Sequence, residues 1–477
     1  MSSGNTDGVL RHDAADHGVL EIKTEIDNPA VTPSSPSSKY SKSELIRINL
    51  DHCPFQGLAL SFWDNILGPR TRHVWNISNE KPLKSDLLSL ITSQVLSCEI
   101  CRDPFKSDID FKFYNLPYKD VVVPAFVFSA KGSNGISVHS LYVVIPISGL
   151  KFYLKIHEVL QSCLQRLIRK LRVILDKNPF EMCMSVFGKY LSDCVQVLSR
   201  LNSSSLARNV SLLDTAFSPG HVLERDFLAR CVASHLMTFG RSLVIGETAE
   251  RINLVLNTLS MFNSESERHC SLPYCVKDPQ LYHHDLYLQG LVKEDKHSVL
   301  PMTEITASRY PTTIIDLTSR EVKQTQSYSE HVLHRFETLK NELICLQYGH
   351  FDELVVLDQD LHSSSAYPDT LVQILVKELF ELRSVCWVRE AFISQFVRML
   401  NKRAQCLIAA VKAEGDESHG TVKPQTLKKI RQDLNLHAEG DFCIVLATAE
   451  KLKPGIYCLL KPHRRNEREF NKAVEIL

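Results

Sequence analysis

Hydrophobic positions along the chain change period several times, and each change marks an element. Leu58–Trp63 and Arg70–Trp75 read as a strand pair. Between them Asp64-Asn65-Ile66-Leu67-Gly68-Pro69 is a longer turn than a tight hairpin needs. Leu87, Leu88, Ile91, Val95 and Leu96 share one 3.6-period face, which predicts a helix over 85–100. Phe111–Leu116, Val121–Phe128 and Ser137–Ile147 are β-rich, and residues 131–135, Lys-Gly-Ser-Asn-Gly, form the turn between the last two. A stripe then runs through Phe152, Ile156, Val159, Leu160, Cys163, Leu164, Leu167, Ile168, Leu171 and Leu175 and predicts a long helix. Its opposite face carries Arg166, Arg169, Lys170 and Arg172 and reads as solvated or as meeting an acidic partner. The order gives a five-stranded antiparallel sheet with covering helices, an α+β layer arrangement within a mixed α/β chain.

Residues 177–222 are less regular and read as a linker with room for one helix. A second α/β region follows. Helical patterns at 224–239 and 247–262 flank a short buried strand at 241–246, and further strands are expected at 285–292, 298–305 and 310–317. Beyond Asp369 the pattern is helical, over 371–382, 385–411, 427–436 and 441–452, with 413–424 as a polar loop. Pro454-Gly455 stops the last of these. The expected organisation is a disordered Pro/Ser-rich tail at 1–43, an α+β domain at 44–176, a linker at 177–222, an α/β part at 223–368, a helical part at 369–462 and a C-terminal tail at 463–477.

Charge and composition narrow the function. Lys+Arg and Asp+Glu both number 55, so no global field attracts nucleic acid. The basic helix lacks the interleaved aromatics on which single strands stack. No apolar run nears the ~20 residues of a membrane span, and the N-terminus lacks a secretory core. A soluble cytoplasmic chain is expected, with its 14 cysteines free and the Cys98/Cys101 pair serving as core.

No phosphate-binding Gly-x-x-x-x-Gly-Lys-Ser/Thr loop, nucleophile elbow or His-Glu-x-x-His occurs. His283 and His284 are adjacent and in a strand would face apart, and His331 and His334 lack an evident carboxylate partner, so no metal or cofactor is expected. Glu439 and Asp441 fit a helix start better than an acid–base pair. Strand alternation puts Arg70 and Arg72 on one side with Val74, leaving Thr71, His73 and Trp75 on the other. Either arginine has the reach to act in trans on a GTPase's phosphate. An ion pair with Asp64 that fixes the hairpin is the commoner arrangement.

The segment FWDNILGPRTRHVW, followed in order by DIDFKFYNL, LKFYLKIHEVLQSCLQRLIRKLR, SLVIGETAERINLVLNTLSMF, LYLQGLVKEDKHSVLP, RYPTTIIDL, LVKELFELR and AEGDFCIVLATAEKLKPG, resembles the longin–DENN family of the chromosome-9 open-reading-frame type. The resemblance runs from about Leu58 to Pro462; the first 43 residues, 177–222 and the residues after Pro462 depart from it. It implies a longin domain followed by a DENN domain. It also implies a subunit that works with a second longin–DENN protein of the Smith-Magenis-region type and a WD-repeat protein on Rab- and Arf-class GTPases, in autophagy and endolysosomal trafficking. Such a protein is cytoplasmic and is recruited peripherally to lysosomes, endosomes and autophagosomes. In such complexes the arginine finger is attributed to the partner, so Arg70 is not carried over as catalytic. The candidate partner surface comprises Trp63, Asp64, Asn65, Arg70 and Arg72 on the hairpin and Val385, Trp387, Phe392 and Phe396 on a DENN helix. The stripe Phe152–Leu175 either joins that surface or covers its own sheet. An autonomous Rab exchange factor and a non-enzymatic autophagy scaffold are the competing readings.

Overall fold

The computed structural model describes residues 44–45, 53–77, 82–97, 99, 108–132, 135–204, 206, 210–218, 223–275, 282–293, 300–349, 361–363, 369–383, 385–418 and 422–460. The expected tails at 1–43 and 463–477, Cys98, Cys101 and the tip of the 131–135 turn lie outside them.

The first unit is the expected antiparallel sheet. Its strands are β2 (Gly57–Asp64), β3 (Gly68–Asn76), β4 (Asp110–Leu116), β5 (Val121–Gly132) and β6 (Gly135–Pro146), in spatial order β3-β2-β6-β5-β4. A two-residue β1 (Glu44–Leu45) pairs parallel to β3 at one edge. Both faces of β5 are buried, and period-two alternation sorts its residues. Val121, Val123, Ala125 and Val127 meet α1 (Ser85–Leu96), whereas Val122, Phe126 and Phe128 meet α2 (Leu150–Lys177). The 28 residues of α2 span about 42 Å. Asn178 ends the helix in extended geometry, as the residue before Pro179 must.

Two expectations change here. The stretch read as a linker holds a 25-residue helix, α3 (Phe180–Ser204). Its Cys183, Met184, Phe187, Leu191, Cys194, Val195, Leu198 and Leu201 share one face, which is buried in the same core as α2. The α2 stripe is likewise spent on its own sheet and on α3, not on a partner surface. Where the two helices cross, Cys163 and Cys194 meet as a pair with Cα atoms 6.8 Å apart, an exception to the expectation of free thiols.

The second unit has a mixed sheet of order β11-β10-β9-β7-β8. Parallel β8 (Leu288–Val292), β7 (Ser242–Gly246) and β9 (Thr313–Asp316) lie together, and antiparallel β10 (Glu321–Gln324) and β11 (His362–Ser363) extend one side. Helices α4 (Arg225–Met237) and α5 (Ala249–Ser260) pack on one face of it, and α6 (Glu265–His269) lies against α2. Gly290 permits close approach of β8 to α5, since a Cβ there would sit 2.4 Å from the Ile252 side chain. The strand expected over 298–305 is instead a short helix, α7 (Met302–Thr306). Pro301 cannot donate to a ladder and takes the N-cap, where its carbonyl accepts the Ile305 N–H at 3.0 Å.

Helix α8 (Tyr328–Gln347) then crosses back toward α2. The helical part follows as expected in α9 (Leu371–Glu381), α10 (Cys386–Ser418), α11 (Pro424–Asp433) and α12 (Glu439–Leu452), and a short helix that was not expected, α13 (Ile456–Leu460), comes after Gly455. Helix α10 runs through part of the expected 413–424 loop, because Lys, Ala and Glu continue a helix readily. Glu439 and Asp441 lie in the first turn of α12 as expected, and Asp441 also serves a second helix start: its carboxylate accepts the backbone N–H of Thr370 at 2.8 Å and of Leu371 at 3.0 Å at the head of α9. Glu439 pairs with Arg431 at 2.8 Å.

Candidate functional site

The β2–β3 tip is built by Asp64. Its Oδ1 accepts the backbone N–H groups of Ile66 at 2.8 Å and Leu67 at 2.9 Å, and Gly68 takes a φ of +77°. Those two hydrogen bonds lower the Asp64 pKa, with a smaller contribution from the charge of Arg70. The fixed turn leaves Ile66 92% and Leu67 59% exposed. Trp63 lies partly buried against the α1 side of the sheet, and Asn65 and Arg70 are exposed.

A β-bulge breaks the expected alternation. Leu60 pairs with His73 and Ser61 with Thr71, so Arg72 is the extra residue of the bulge. Arg72 therefore lies with His73 and Trp75 on the α3 side, its guanidinium 3.8 Å from the Phe180 ring centroid. Thr71 and Val74 turn to α1. Burial lowers the Arg72 pKa, opposed by the charges of Cys183 and Glu181. This arginine is a packed cation–π element rather than a free finger.

The second candidate group divides. Trp387 is 72% and Val385 38% exposed at the start of α10. Phe392 is half-buried against the chain's own core, and Phe396 is buried, edge-on to Phe262 at 6.3 Å. Phe396 is thus not available to a partner. Arg389 anchors this helix start by donating to the Phe217 carbonyl at 2.6 Å and the Leu382 carbonyl at 3.1 Å. Hairpin and α10 residues lie in different units and do not form one cluster.

The basic face of α2 is not solvated. Arg166 is buried where α2 meets the second unit. Its Nη1 donates to Glu304 Oε2 at 3.0 Å and its Nη2 to Glu342 Oε1 at 2.9 Å, while Lys170 reaches the same Glu342 oxygen at 2.6 Å. His284 presents Nδ1 to Glu304 at 2.9 Å and Nε2 to Asp285 at 3.1 Å, and Ser162 of α2 donates to Asp285 at 2.7 Å. Burial would discharge all these groups, and mutual attraction prevails at all but Lys170, which burial and the neighbouring Arg166 lower. Arg166 rises, Asp285, Glu304 and Glu342 fall, and His284 rises despite burial and the neighbouring Arg166. Three carboxylates thus face Arg166, Lys170 and His284. The acidic partner considered for this helix face is in the same chain, 138 and 176 residues away from Arg166.

His283, His284 and Asp285 do come within 4.8 Å of one another, contrary to the expectation that adjacent histidines face apart, because they sit in a turn before β8. Their rings stack at 4.6 Å. A metal fits poorly: Arg166 Nη1 lies 2.7 and 3.0 Å from the two His284 nitrogens, where it would repel a cation. His331 does not join His334 as a ligand. It is buried with Nε2 3.0 Å from the Ser308 carbonyl, and burial lowers its pKa to about 3.

A model described as the C9orf72-like protein family matches residues 90–331, about half of the chain. The human (Homo sapiens) guanine nucleotide exchange factor C9orf72 is 29% identical over 461 residues, covering 89% of this chain and 95% of the human protein. The homologues of Mus musculus and Rattus norvegicus match to the same extent. The family model spans β4 to β6 of the first sheet, the α2–α3 pair, Arg166, His284, Asp285 and Glu304 of the seam and β7 to β10 of the second sheet, and on that ground the chain belongs to the C9orf72-like protein family.

Proposed function

We propose that this chain regulates small GTPases of the Rab and Arf classes, as the longin–DENN subunit of a complex with a second longin–DENN protein and a WD-repeat protein, in autophagy and endolysosomal trafficking. The observation that carries the reading is the likeness over 95% of the length of relatives named guanine nucleotide exchange factors. The geometry is compatible with it. Exchange requires no acid, base or metal, only tighter binding of the nucleotide-free GTPase than of the loaded one. The described surface offers apolar anchors for such binding, with Ile66 and Leu67 on the hairpin and Trp387 with Val385 on α10. A subunit role is favoured over autonomous exchange because these anchors are split between two units. Peripheral recruitment to lysosomes, endosomes and autophagosomes belongs to the same proposal.

The test is release of labelled GDP and hydrolysis of GTP across a panel of Rab and Arf GTPases, with this chain alone and with its longin–DENN partner. Acceleration only in the presence of the partner supports the subunit role. Acceleration by the chain alone establishes an autonomous exchange factor, and no acceleration in either setting leaves the scaffold reading.

A further inference from the structure

Between α2 and the second unit lies a partly open cleft of about 480 Å³, next to the polar seam. Five arginines line it: Arg166 and Arg169 from α2, Arg241 before β7, Arg309 after α7 and Arg335 from α8. Two carboxylates line it as well, Glu158 and Asp285. The seam already occupies Arg166 with Glu304 and Glu342, and Asp285 with His284 and Ser162. Four arginines are left facing Glu158.

Their hydrogen bonds, among the described residues, go to backbone carbonyls rather than to carboxylates. Arg335 Nε donates to the Ala307 carbonyl at 3.1 Å. Arg241 is 5% exposed and donates Nη1 to the carbonyls of His284 and Leu286 at 2.8 and 3.3 Å, while its buried Nε has no partner. Arg169 has a buried Nε without a partner and makes no ion pair among the described residues. Confining guanidiniums together without counter-charge is unfavourable. Burial, with Arg172 nearby, pushes Arg169 down to about 10. Burial likewise pushes Arg335 down to about 10, Asp285 working against this and Arg169, Arg166 and Arg309 adding to it. A fold that needed this cleft only for packing would be better served by apolar residues there.

We propose that the cleft binds a small, multiply phosphorylated anion, held by Arg169, Arg241, Arg309 and Arg335. Guanidinium forks suit phosphate oxygens bidentately, and several phosphates supply the charge that one carboxylate does not. The volume falls within the range of small-molecule sites. The anion would bridge α2 and α8 and so brace the first unit against the second. The assignment is independent of GTPase regulation.

Titration calorimetry on the full chain tests it, with inositol hexakisphosphate and inorganic pyrophosphate as soluble probes. Phosphatidylcholine vesicles carrying phosphatidylinositol bisphosphate, or phosphatidylserine as control, probe a lipid source. Saturable binding of a soluble probe, or of the bisphosphate vesicles over the control, is expected. The first assigns a free phosphate ester and the second a lipid headgroup. Arg169→Gln and Arg335→Gln should each weaken binding about tenfold or more. Arg169→Gln should leave the melting temperature of the unliganded chain unchanged or raised, since it removes a cation held among cations. The proposal is overturned if no probe binds saturably, or if the double variant binds as the parent does. It is equally overturned if Arg169→Gln lowers the melting temperature and leaves probe binding intact, the signature of a merely structural arginine.

Discussion

The hairpin tip and the α2 seam both place arginines beside carboxylates, yet the two work in opposite ways. At the tip, Asp64 spends its oxygen on backbone N–H groups, Arg70 stays exposed, and Arg72 packs on an aromatic ring. In the seam, Arg166 is buried and fully committed to two carboxylates from distant segments. The tip is a local structure whose role is to display Ile66 and Leu67. The seam is a long-range structure whose role is to join two units. An arginine's neighbours in sequence therefore say little about its work; what decides is whether its environment excludes water.

The largest expected effect breaks the seam. Arg166→Met leaves the half-buried Glu304 and Glu342 beside Lys170 and His284 alone. Removing one member of a buried ion set costs about 3–5 kcal/mol because the remaining charges lose compensation. Urea unfolding should show that loss, or a separate early transition if the units come apart first. Replacing Arg166, Lys170, Glu304 and Glu342 together with Met, Met, Leu and Leu should recover most of it, since Lys170 is then not stranded without Glu342 and His284 keeps Asp285. An unchanged midpoint in the single variant would mean that the seam does not couple the units. The same substitution scale at the exposed Arg70 should fall within about 0.5 kcal/mol.

Much of the fold was legible because its signal is local. The five antiparallel strands and α1, α2, α9, α10 and α12 follow from period-two or period-3.6 patterns that the structure uses as read. Helix α3 carries an equally good stripe, but the short polar segments Asn-Ser-Ser-Ser and Phe-Ser-Pro-Gly that follow it drew the reading toward a linker. Helix α8 was harder to see. Its buried side includes Thr338 and His331 alongside Leu339, and Glu342 faces α2, so its apolar stripe is thin where its partner is polar. The bulge at Arg72 is invisible to alternation because one inserted residue changes the side taken by those beyond it. In the candidate site, the turn-forming role of Asp64 and the exposure of Trp387 were within reach of sequence. The partners of Arg166 were not, since nothing in the sequence links it to residues 138 and 176 positions away.

A smaller effect separates the regions by pH. His284 titrates above the ordinary 6.5 in the fold, so its contribution is complete below 6.5 and fades as pH rises through the folded-state value. Asp285, Glu304 and Glu342 titrate below their ordinary values, so their contribution is complete above the usual carboxylate range and is lost on acidification through the depressed values. Burial also lowers His139 and His235 to about 3, which makes these neutral side chains a liability as pH falls below 6.5. Melting temperature should therefore decline on both flanks, and His284→Gln should flatten the alkaline one. A variant that retains the full alkaline decline would assign it to other groups. The Asp64 turn follows the acid flank as well: hydrogen bonds to its carboxylate lower its pKa, so its contribution is present above the usual carboxylate range and is lost on acidification.

The smallest effect on stability carries the most information on function. Ile66→Asp and Trp387→Asp each place a charge where the side chain is already 92% and 72% exposed. Neither creates a cavity or strands a buried group, so the melting temperature should move by no more than a surface substitution does, about 0.5 kcal/mol in stability. If these residues anchor a partner, a charge in the centre of the contact should weaken co-purification with the proposed longin–DENN partner by tenfold or more, because desolvating a carboxylate without a counter-ion is costly. Phe396→Asp is the informative contrast. It also removes an aromatic from the candidate surface, but it buries a charge against Phe262 and should unfold the helical part. Loss of binding in all three with loss of stability only in Phe396→Asp separates display from packing. Retained binding in both exposed variants would remove the hairpin and the α10 start from the interface, and leave the exposed Phe111 and Phe113 on edge strand β4 as the next surface to alter.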